Sequence, residues 1–291
     1  MSEIVYKGFT QDEMEFHFDP SVAVVDQPRW AEERSKASLK VRDAVKAHFN
    51  IPYGSSPRQV MDIFPAEEQD APVFLYIHGG YWRRGSKEDN CHFAELFTKA
   101  GVTVAVLEYD LCPKVTVTDI VRQARSAVAW SYRHISEYRG DPSKLYIGGL
   151  SAGGHLVAMA LAHDWKKDGL SQDIIKGAVA ISGVYDLDAV LHINANKDIR
   201  LNQESVRDNS PFLHPPLPHT PLIIAVGGAE PRGWKEMSRD FFELCEERGL
   251  KCDYIEVSGA NHFSISLHLS DPASPLTRAI FKQMKLSVPS L

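Results

Sequence analysis

The pentapeptide Gly149-Leu150-Ser151-Ala152-Gly153 lies where a short apolar run ends and a helix-periodic run begins, and it constrains the fold more than any other feature of the chain. The run Lys144-Leu145-Tyr146-Ile147-Gly148 is β-prone, whereas Ala152 to Leu161 holds helix formers and no proline. Ser151 is thereby placed on a sharp strand-to-helix turn, the context that a nucleophile elbow requires. Glycines at 149 and 153 allow neighbouring backbone to approach where a Cβ would obstruct it. Such a turn lifts the Ser151 hydroxyl above a sheet. It also sets the first amides of the following helix, from Ala152 on, beside that hydroxyl, where a helix N-terminus favours developing negative charge.

Gly-x-Ser-x-Gly alone also suits a glycine-rich surface turn, so its company decides the reading. Val73-Phe74-Leu75-Tyr76-Ile77 reads as a buried strand and runs into His78-Gly79-Gly80-Tyr81-Trp82, where α/β-hydrolases carry the loop that completes the oxyanion hole. The N–H groups of Gly80, Tyr81 and Ala152 are the expected oxyanion donors. Pro221 to Val226 reads as another strand and ends in Gly227-Gly228-Ala229-Glu230, and a last strand near Cys252 to Val257 precedes Asn261-His262-Phe263. The chain order serine, acid, histidine is that of the α/β-hydrolase triad, not of the chymotrypsin or subtilisin types. Ser151, Glu230 and His262 are therefore the expected catalytic residues. Glu230 could instead be a helix-start carboxylate favoured by the macrodipole, with Asp186 as the reserve acid.

From about residue 59 strands alternate with helices, which predicts a mostly parallel central sheet with helices on both faces, the α/β-hydrolase fold, in one domain spanning 1–291. Residues 1–58 form an N-terminal extension with a helix. Ser86 and Asp89 read as a capping pair opening a helix that ends before Gly101, and Val117 to Tyr138 reads as a helix stopped by Gly140. Trp234, Met237, Phe241, Leu244 and Cys245 recur at helical spacing, a buried core stripe with its exit at Gly249. Between Tyr185 and Thr220 the pattern weakens into charges, Asn, His and prolines, and about 185–220 is expected to be a lid or cap segment.

Composition limits the partners. The net charge is −6 with basic residues dispersed, which argues against nucleic acid and against an anionic membrane surface. No apolar run approaches the roughly 18 residues of a membrane span. The four cysteines, Cys91, Cys112, Cys245 and Cys252, form no Cys-x-x-Cys pair, and the acidic stretch Met1 to Pro20 lacks a hydrophobic signal core, so a reducing cytoplasm is expected. His78, His155 and His163 show no metal-ligand spacing, and the glycine pairs fit neither the dinucleotide nor the Walker pattern. No metal and no cofactor are expected. Nothing in the sequence fixes the oligomeric state, and a homodimer is compatible with it.

His78-Gly79-Gly80-Tyr81-Trp82, Tyr109-Asp110, Ser151-Ala152-Gly153 with His155, Ser182-Gly183-Val184-Tyr185-Asp186-Leu187, Asn209-Ser210-Pro211 and His262-Phe263 together resemble the kynurenine formamidases, or arylformamidases. Pro28-Arg29-Trp30 and Ile51-Pro52-Tyr53-Gly54 extend the resemblance, which covers about residues 20 to 265. The Tyr-Trp pair after the two glycines discriminates, because hormone-sensitive-lipase-like esterases usually have a third glycine there. The resemblance implies hydrolysis of N-formyl-L-kynurenine to L-kynurenine and formate in tryptophan breakdown, on a small-molecule substrate and without a cofactor. A general carboxylesterase and a catalytically dead hydrolase fold used for binding are the alternatives, the latter disfavoured because all three triad roles are filled.

The chain departs from that family's pattern at Glu230, where aspartate is usual, and at Ser264, where an acidic residue often follows His-Phe. Glutamate is an accepted triad acid, but its extra methylene requires either a more distant backbone or a side chain that folds back. Trp82, Phe263 and Tyr185 are candidate substrate-pocket aromatics. For a substrate carboxylate, Arg83, Arg84, Arg200 and Arg207 are equally plausible from sequence.

Overall fold

The computed structural model describes residues 3–289. Eight strands form one sheet: β1 (His48–Pro52), β2 (Val60–Phe64), β3 (Ala71–Ile77), β4 (Thr103–Leu107), β5 (Gly140–Leu150), β6 (Ile175–Ile181), β7 (Leu222–Gly227) and β8 (Cys252–Val257). Their spatial order is β8-β7-β6-β5-β3-β4-β2-β1. All neighbours from β4 through β3 to β8 pair in parallel, and β2 and β1 add an antiparallel margin. The longer helices are α1 (Gln27–Ala44), α2 (Val117–His134), α3 (Ala152–Leu161), α4 (Arg232–Glu247) and α5 (Pro275–Gln283).

Strand side chains alternate between two cores. Val73, Leu75 and Ile77 of β3 pack with α2, α3 and α4, whereas Phe74 and Tyr76 pack on the other face with Phe93, Phe97 and α5. Because both faces are covered, the strands read as unbroken apolar runs rather than as alternating ones. Burying each large side chain contributes roughly 1.5–3 kcal/mol, which makes the sheet a rigid frame for whatever its strand ends carry. α2 opens on a capping box, with the Asp119 amide donating to Thr116 Oγ1 at 3.2 Å. It closes through a 3-10 turn at Ile135–Tyr138, and the left-handed residue is Arg139 (φ 66°) rather than the expected Gly140, which begins β5. Ser86 and Asp89 do bond each other, but they tie a short 3-10 turn at Glu88–Asn90, and the helix proper runs over Ala94–Lys99. The expected stripe on α4 is buried at Trp234, Met237, Phe241 and Cys245, and Gly249 follows at φ +77°.

β3 touches β4 on one side and β5 on the other, so the chain winds outward in opposite directions from this pair. A crevice opens there, beyond the carboxyl ends of the strands, where ligands bind in open α/β sheets. Two peripheral segments flank it. Residues 185–220 hold three short helices and dock on α2 and α3, with Asn209 Nδ2 donating to Thr118 Oγ1 at 2.8 Å and the Leu217 amide to the Leu161 carbonyl at 3.1 Å. The N-terminal extension lies on the other flank, where the Tyr81 hydroxyl donates to the Phe18 carbonyl and the Ser35 hydroxyl to Asp89 Oδ1 at 2.7 Å. Among the described residues no helix is long and apolar enough to cross a membrane.

Candidate active site

Ser151 joins β5 to α3 with φ 56° and ψ −116°, a conformation sparsely populated by residues other than glycine and worth roughly 1–3 kcal/mol of strain. The fold fixes it from both sides: its amide donates to the Ile181 carbonyl at 2.8 Å, and its carbonyl accepts from the His155 amide at 3.0 Å. The flanking glycines are required by contact. A Cβ on Gly153 would stand 2.0 Å from the Ile77 carbonyl oxygen, and one on Gly149 would stand 2.5 Å from Gly153 backbone. Because the Ser151 amide is committed to β6, the first free donor of α3 is Ala152.

The strand end of β3 supplies the facing loop. Gly80 has φ +120°, and a Cβ there would meet the Arg84 carbonyl at 2.1 Å. Tyr81 and Trp82 follow with φ 50° and 55°, two successive left-handed residues that each carry a side chain. Arg83 and Arg84 amides both donate to the Gly80 carbonyl at 3.1 Å, which closes the turn. The N–H groups of Gly80, Tyr81 and Ala152 make no hydrogen bond within the described residues, so all three expected oxyanion donors are available.

Glu108, at the end of β4, holds this loop from beneath and was not singled out by sequence reasoning. Its Oε1 meets His78 Nε2 at 3.0 Å and Arg58 at 2.6 Å, and its Oε2 accepts the Lys87 amide at 3.1 Å. Burial would raise the Glu108 carboxyl, but its bonds to His78, Arg58 and the Tyr109 amide outweigh that and hold it below the usual carboxylate value. His78 stacks on Tyr109 with ring centroids 4.3 Å apart, and its Nδ1 bonds the Gly79 carbonyl at 2.8 Å, which matches a loop-orienting histidine. A carboxylate at a strand end flanked by apolar residues gives no periodic signal of such a role.

His262 and Glu230 meet at 2.7 Å through Nδ1 and Oε2, both nearly sealed from solvent. The side chain of Glu230 folds back on its own turn: Oε1 accepts the Gly227 amide at 2.8 Å and the Ser182 hydroxyl at 2.5 Å. Ser182 itself lies in the left-handed region at φ 45°, with its amide on the Ala225 carbonyl. The His262 ring also packs on Trp234, centroids 4.4 Å apart. Ser264, the second departure, closes the turn that carries His262: its hydroxyl accepts the Asn261 amide at 2.9 Å, and Asn261 Oδ1 accepts the Phe263 and Ser264 amides. Asp186 is committed to Tyr6 at 2.9 Å and makes no bond to His262.

Ser151, His262, Gly80, Tyr81 and Phe263 all line one cavity of about 200 Å³. Two of the expected pocket aromatics lie elsewhere. Trp82 is fully buried under the loop, edge-on to His155 and donating to its Nδ1 at 3.2 Å, and its carbonyl accepts the Cys112 amide. Tyr185 is a core residue stacked on Phe241 at 4.1 Å, its hydroxyl on the Ala180 carbonyl. None of residues 185–220 lines the cavity. The outer wall comes instead from Pro20, Gln27, Ala31 and Arg34 of the N-terminal extension. The 185–220 segment buttresses the loop from outside, through an Arg83–Asp198 ion pair at 2.8 Å. Among the described residues no group of three or more His, Cys, Asp or Glu side chains is placed to hold a metal ion.

An elbow serine at a strained turn, free backbone donors beside it, and a histidine backed by a carboxylate at successive strand ends define a serine hydrolase of the α/β-hydrolase fold. The BD-FAE family model matches residues 61–213. A kynurenine formamidase from Salmo salar is 30% identical, with 96% of this chain and 98% of that protein covered, and one from Danio rerio is 28% identical over the same shares. Among solved structures, a protein from Silicibacter sp. TM1040 provisionally described as a thioesterase superposes with TM-score 0.81 at 26% identity, covering 92% of this chain and 99% of that one. The chain belongs to the kynurenine formamidase family.

Proposed function

We propose that this protein hydrolyses N-formyl-L-kynurenine to L-kynurenine and formate through a formyl ester on Ser151. The observation that carries the reading is His262, backed by the buried Glu230 carboxylate, facing with Ser151 into a cavity walled by Tyr81 and Phe263. A serine hydroxyl is a weak nucleophile at neutral pH, so His262 takes its proton as the oxygen attacks the formyl carbon. Glu230 fixes the imidazole with Nδ1–H toward itself and stabilises the imidazolium that forms. The oxyanion is received by the N–H groups of Gly80, Tyr81 and Ala152, where loss of one donor typically costs about 100 to 1000-fold in rate. His262 then protonates the departing aryl nitrogen, and a water activated by the same histidine hydrolyses the formyl ester, which releases formate and restores Ser151. The chemistry asks for no cofactor.

The test is the ratio of kcat/KM for N-formyl-L-kynurenine to that for short p-nitrophenyl esters, with Ser151→Ala as the control. A formamidase shows the larger value for the formamide, and Ser151→Ala loses several orders of magnitude on both substrates while it still folds. A larger value for the esters supports a general carboxylesterase instead. A folded Ser151→Ala protein with more than about a tenth of the activity refutes the nucleophile.

A further inference from the structure

The cavity beside Ser151 is lined by two arginines whose guanidinium groups form no ion pair among the described residues. Arg34 sits on α1, where Gln27, Ala31 and Arg34 recur at four and three residues and so present one face to the cavity. Its Nε donates to the Asp89 carbonyl at 3.2 Å, and its two terminal NH2 groups make no hydrogen bond among the described residues. The Asp89 carboxylate is already occupied, by the Ser35 hydroxyl at 2.7 Å and the Ser86 hydroxyl at 2.9 Å. Arg84 lines the same cavity from the oxyanion loop, its backbone fixed by the bond to Gly80 and its side chain without a partner. Among the described residues neither arginine forms an ion pair. Burial holds the Arg34 guanidinium below its ordinary value; the nearby Asp89 carboxylate offsets this in part, and the Arg84 charge adds to it.

Two like charges converging on a half-enclosed cavity are unfavourable unless an anion joins them. Structural arginines in such surroundings are usually paired with carboxylates, as Arg58 is with Glu108 and Arg42 with Asp62 in this chain. A guanidinium presents planar, forked donors that match a carboxylate. We infer that Arg34 and Arg84 form a carboxylate subsite of the catalytic cavity, which holds the amino-acid end of the substrate and selects α-carboxylated aryl formamides over neutral ones. This inference rests on the formamidase reading for its substrate class. Arg34 supplies the fork, since its Nε is anchored and its outer NH2 groups are free. Arg84 supplies a second charge from the loop that also carries the oxyanion donors, so carboxylate binding and formyl activation meet on one element. Sequence gave no basis for choosing Arg34, because its position in a polar helix reads as a solvated face.

The experiment measures kcat/KM for N-formyl-L-kynurenine and for N-formylkynuramine, its decarboxylated analogue, in wild type, Arg34→Gln, Arg84→Gln and Arg34→Lys. The preference of the wild type for the carboxylated substrate falls about 10 to 100-fold in Arg34→Gln, mainly through KM, as loss of a charge-assisted bond requires. Arg34→Lys, which keeps the charge without the fork, recovers part of it. A ratio that stays at the wild-type value in both glutamine variants overturns the subsite, as does a parallel loss on both substrates. A second readout is independent of formamide turnover: inhibition of p-nitrophenyl acetate hydrolysis by L-kynurenine against kynuramine. If the wild type cleaves the ester but neither formamide, the formamidase reading fails. The subsite then stands only if L-kynurenine inhibits better than kynuramine and Arg34→Gln removes that difference.

Discussion

Shortening Glu230 to aspartate tests whether this site is built around the longer acid. In the structure one carboxylate serves three donors: His262 Nδ1 at 2.7 Å, the Gly227 amide at 2.8 Å and the Ser182 hydroxyl at 2.5 Å. Removing one methylene withdraws the carboxyl by about one C–C bond, roughly 1.5 Å. The backbone cannot follow freely, because the Glu230 amide is tied to the Gly227 carbonyl at 3.0 Å and the Ala229 amide to the Ala260 carbonyl at 2.9 Å. The 2.7 Å contact to His262 would therefore open beyond hydrogen-bond range. A hydrogen bond to a charged group is worth about 1.5–3 kcal/mol, and at 1.36 kcal/mol per factor of ten its loss lowers kcat by about 10 to 150-fold. Glu230→Gln, which keeps the length but removes the charge and favours the wrong histidine tautomer, loses about 100 to 10,000-fold. The assay is steady-state hydrolysis of N-formyl-L-kynurenine followed by the spectral change as its N-formylated aryl ketone becomes the free aminoaryl ketone, with circular dichroism to verify folding. A folded Glu230→Asp protein within about threefold of wild type in kcat would refute the argument that the Gly227 and Ser182 bonds dictate the length of the arm.

Trp82→Phe removes the Nε1 donor from His155 Nδ1 and leaves a buried acceptor unsatisfied, so urea denaturation should show a loss of about 1–3 kcal/mol. The ratio of formyl to acetyl anilide hydrolysis should stay at its wild-type value, since Trp82 lies outside the cavity; a changed ratio would return it to the pocket wall. Acid should destabilise the fold through His92 and His155, both lowered to about 4 by burial. Their folded value lies below the unfolded value of about 6.5, so the unfolded chain binds more protons between these limits and stability, complete above about pH 6.5, drains away as pH falls toward 4. The upper limit is about 3 kcal/mol per histidine, and a urea midpoint that is flat from pH 7 to pH 4.5 would show that these rings protonate in the folded state.

What the sequence disclosed and what it concealed follow from how each feature is encoded. The elbow, the glycine loop and the serine-acid-histidine order are local patterns at strand ends, and Ser151, Glu230 and His262 emerge at those ends in the structure. Strand β3 was legible because five apolar residues run unbroken into His78-Gly79. Trp82 and Tyr185 were misplaced because an aromatic next to a site motif reads the same whether it faces a cavity or the core. Their directions are set by tertiary contacts, Trp82 turned inward by two successive left-handed residues and Tyr185 drawn onto Phe241. The cavity wall escaped for a related reason. Irregular, proline-rich sequence at 185–220 suggested a cap, yet nothing in that composition says which flank of the sheet it covers, and it docks on α2 and α3. Glu108, Ser182 and Arg34 each act through side-chain contacts to residues 20 or more positions away, Glu108 also bonding the adjacent Tyr109 amide, so no spacing rule reveals them.

The outer wall and the loop after β3 share their supports. Phe18 holds the Tyr81 hydroxyl through its carbonyl, and Pro20, two residues on, lines the cavity. Arg34 bonds Asp89, whose side chain is tied to Ser86 at the end of the same loop. Tyr81 and Trp82 occupy left-handed conformations that each cost about 1 kcal/mol or more, and they persist only where the surroundings over-determine them. That constraint comes from beneath, through Glu108, His78 and His155, from the N-terminal extension through Phe18, and from outside through the Arg83–Asp198 pair. A wall that merely excluded substrates could vary without effect on the chemistry. This wall cannot, because Phe18 and the turn at Asp89 also hold the backbone that carries the Gly80 and Tyr81 amides.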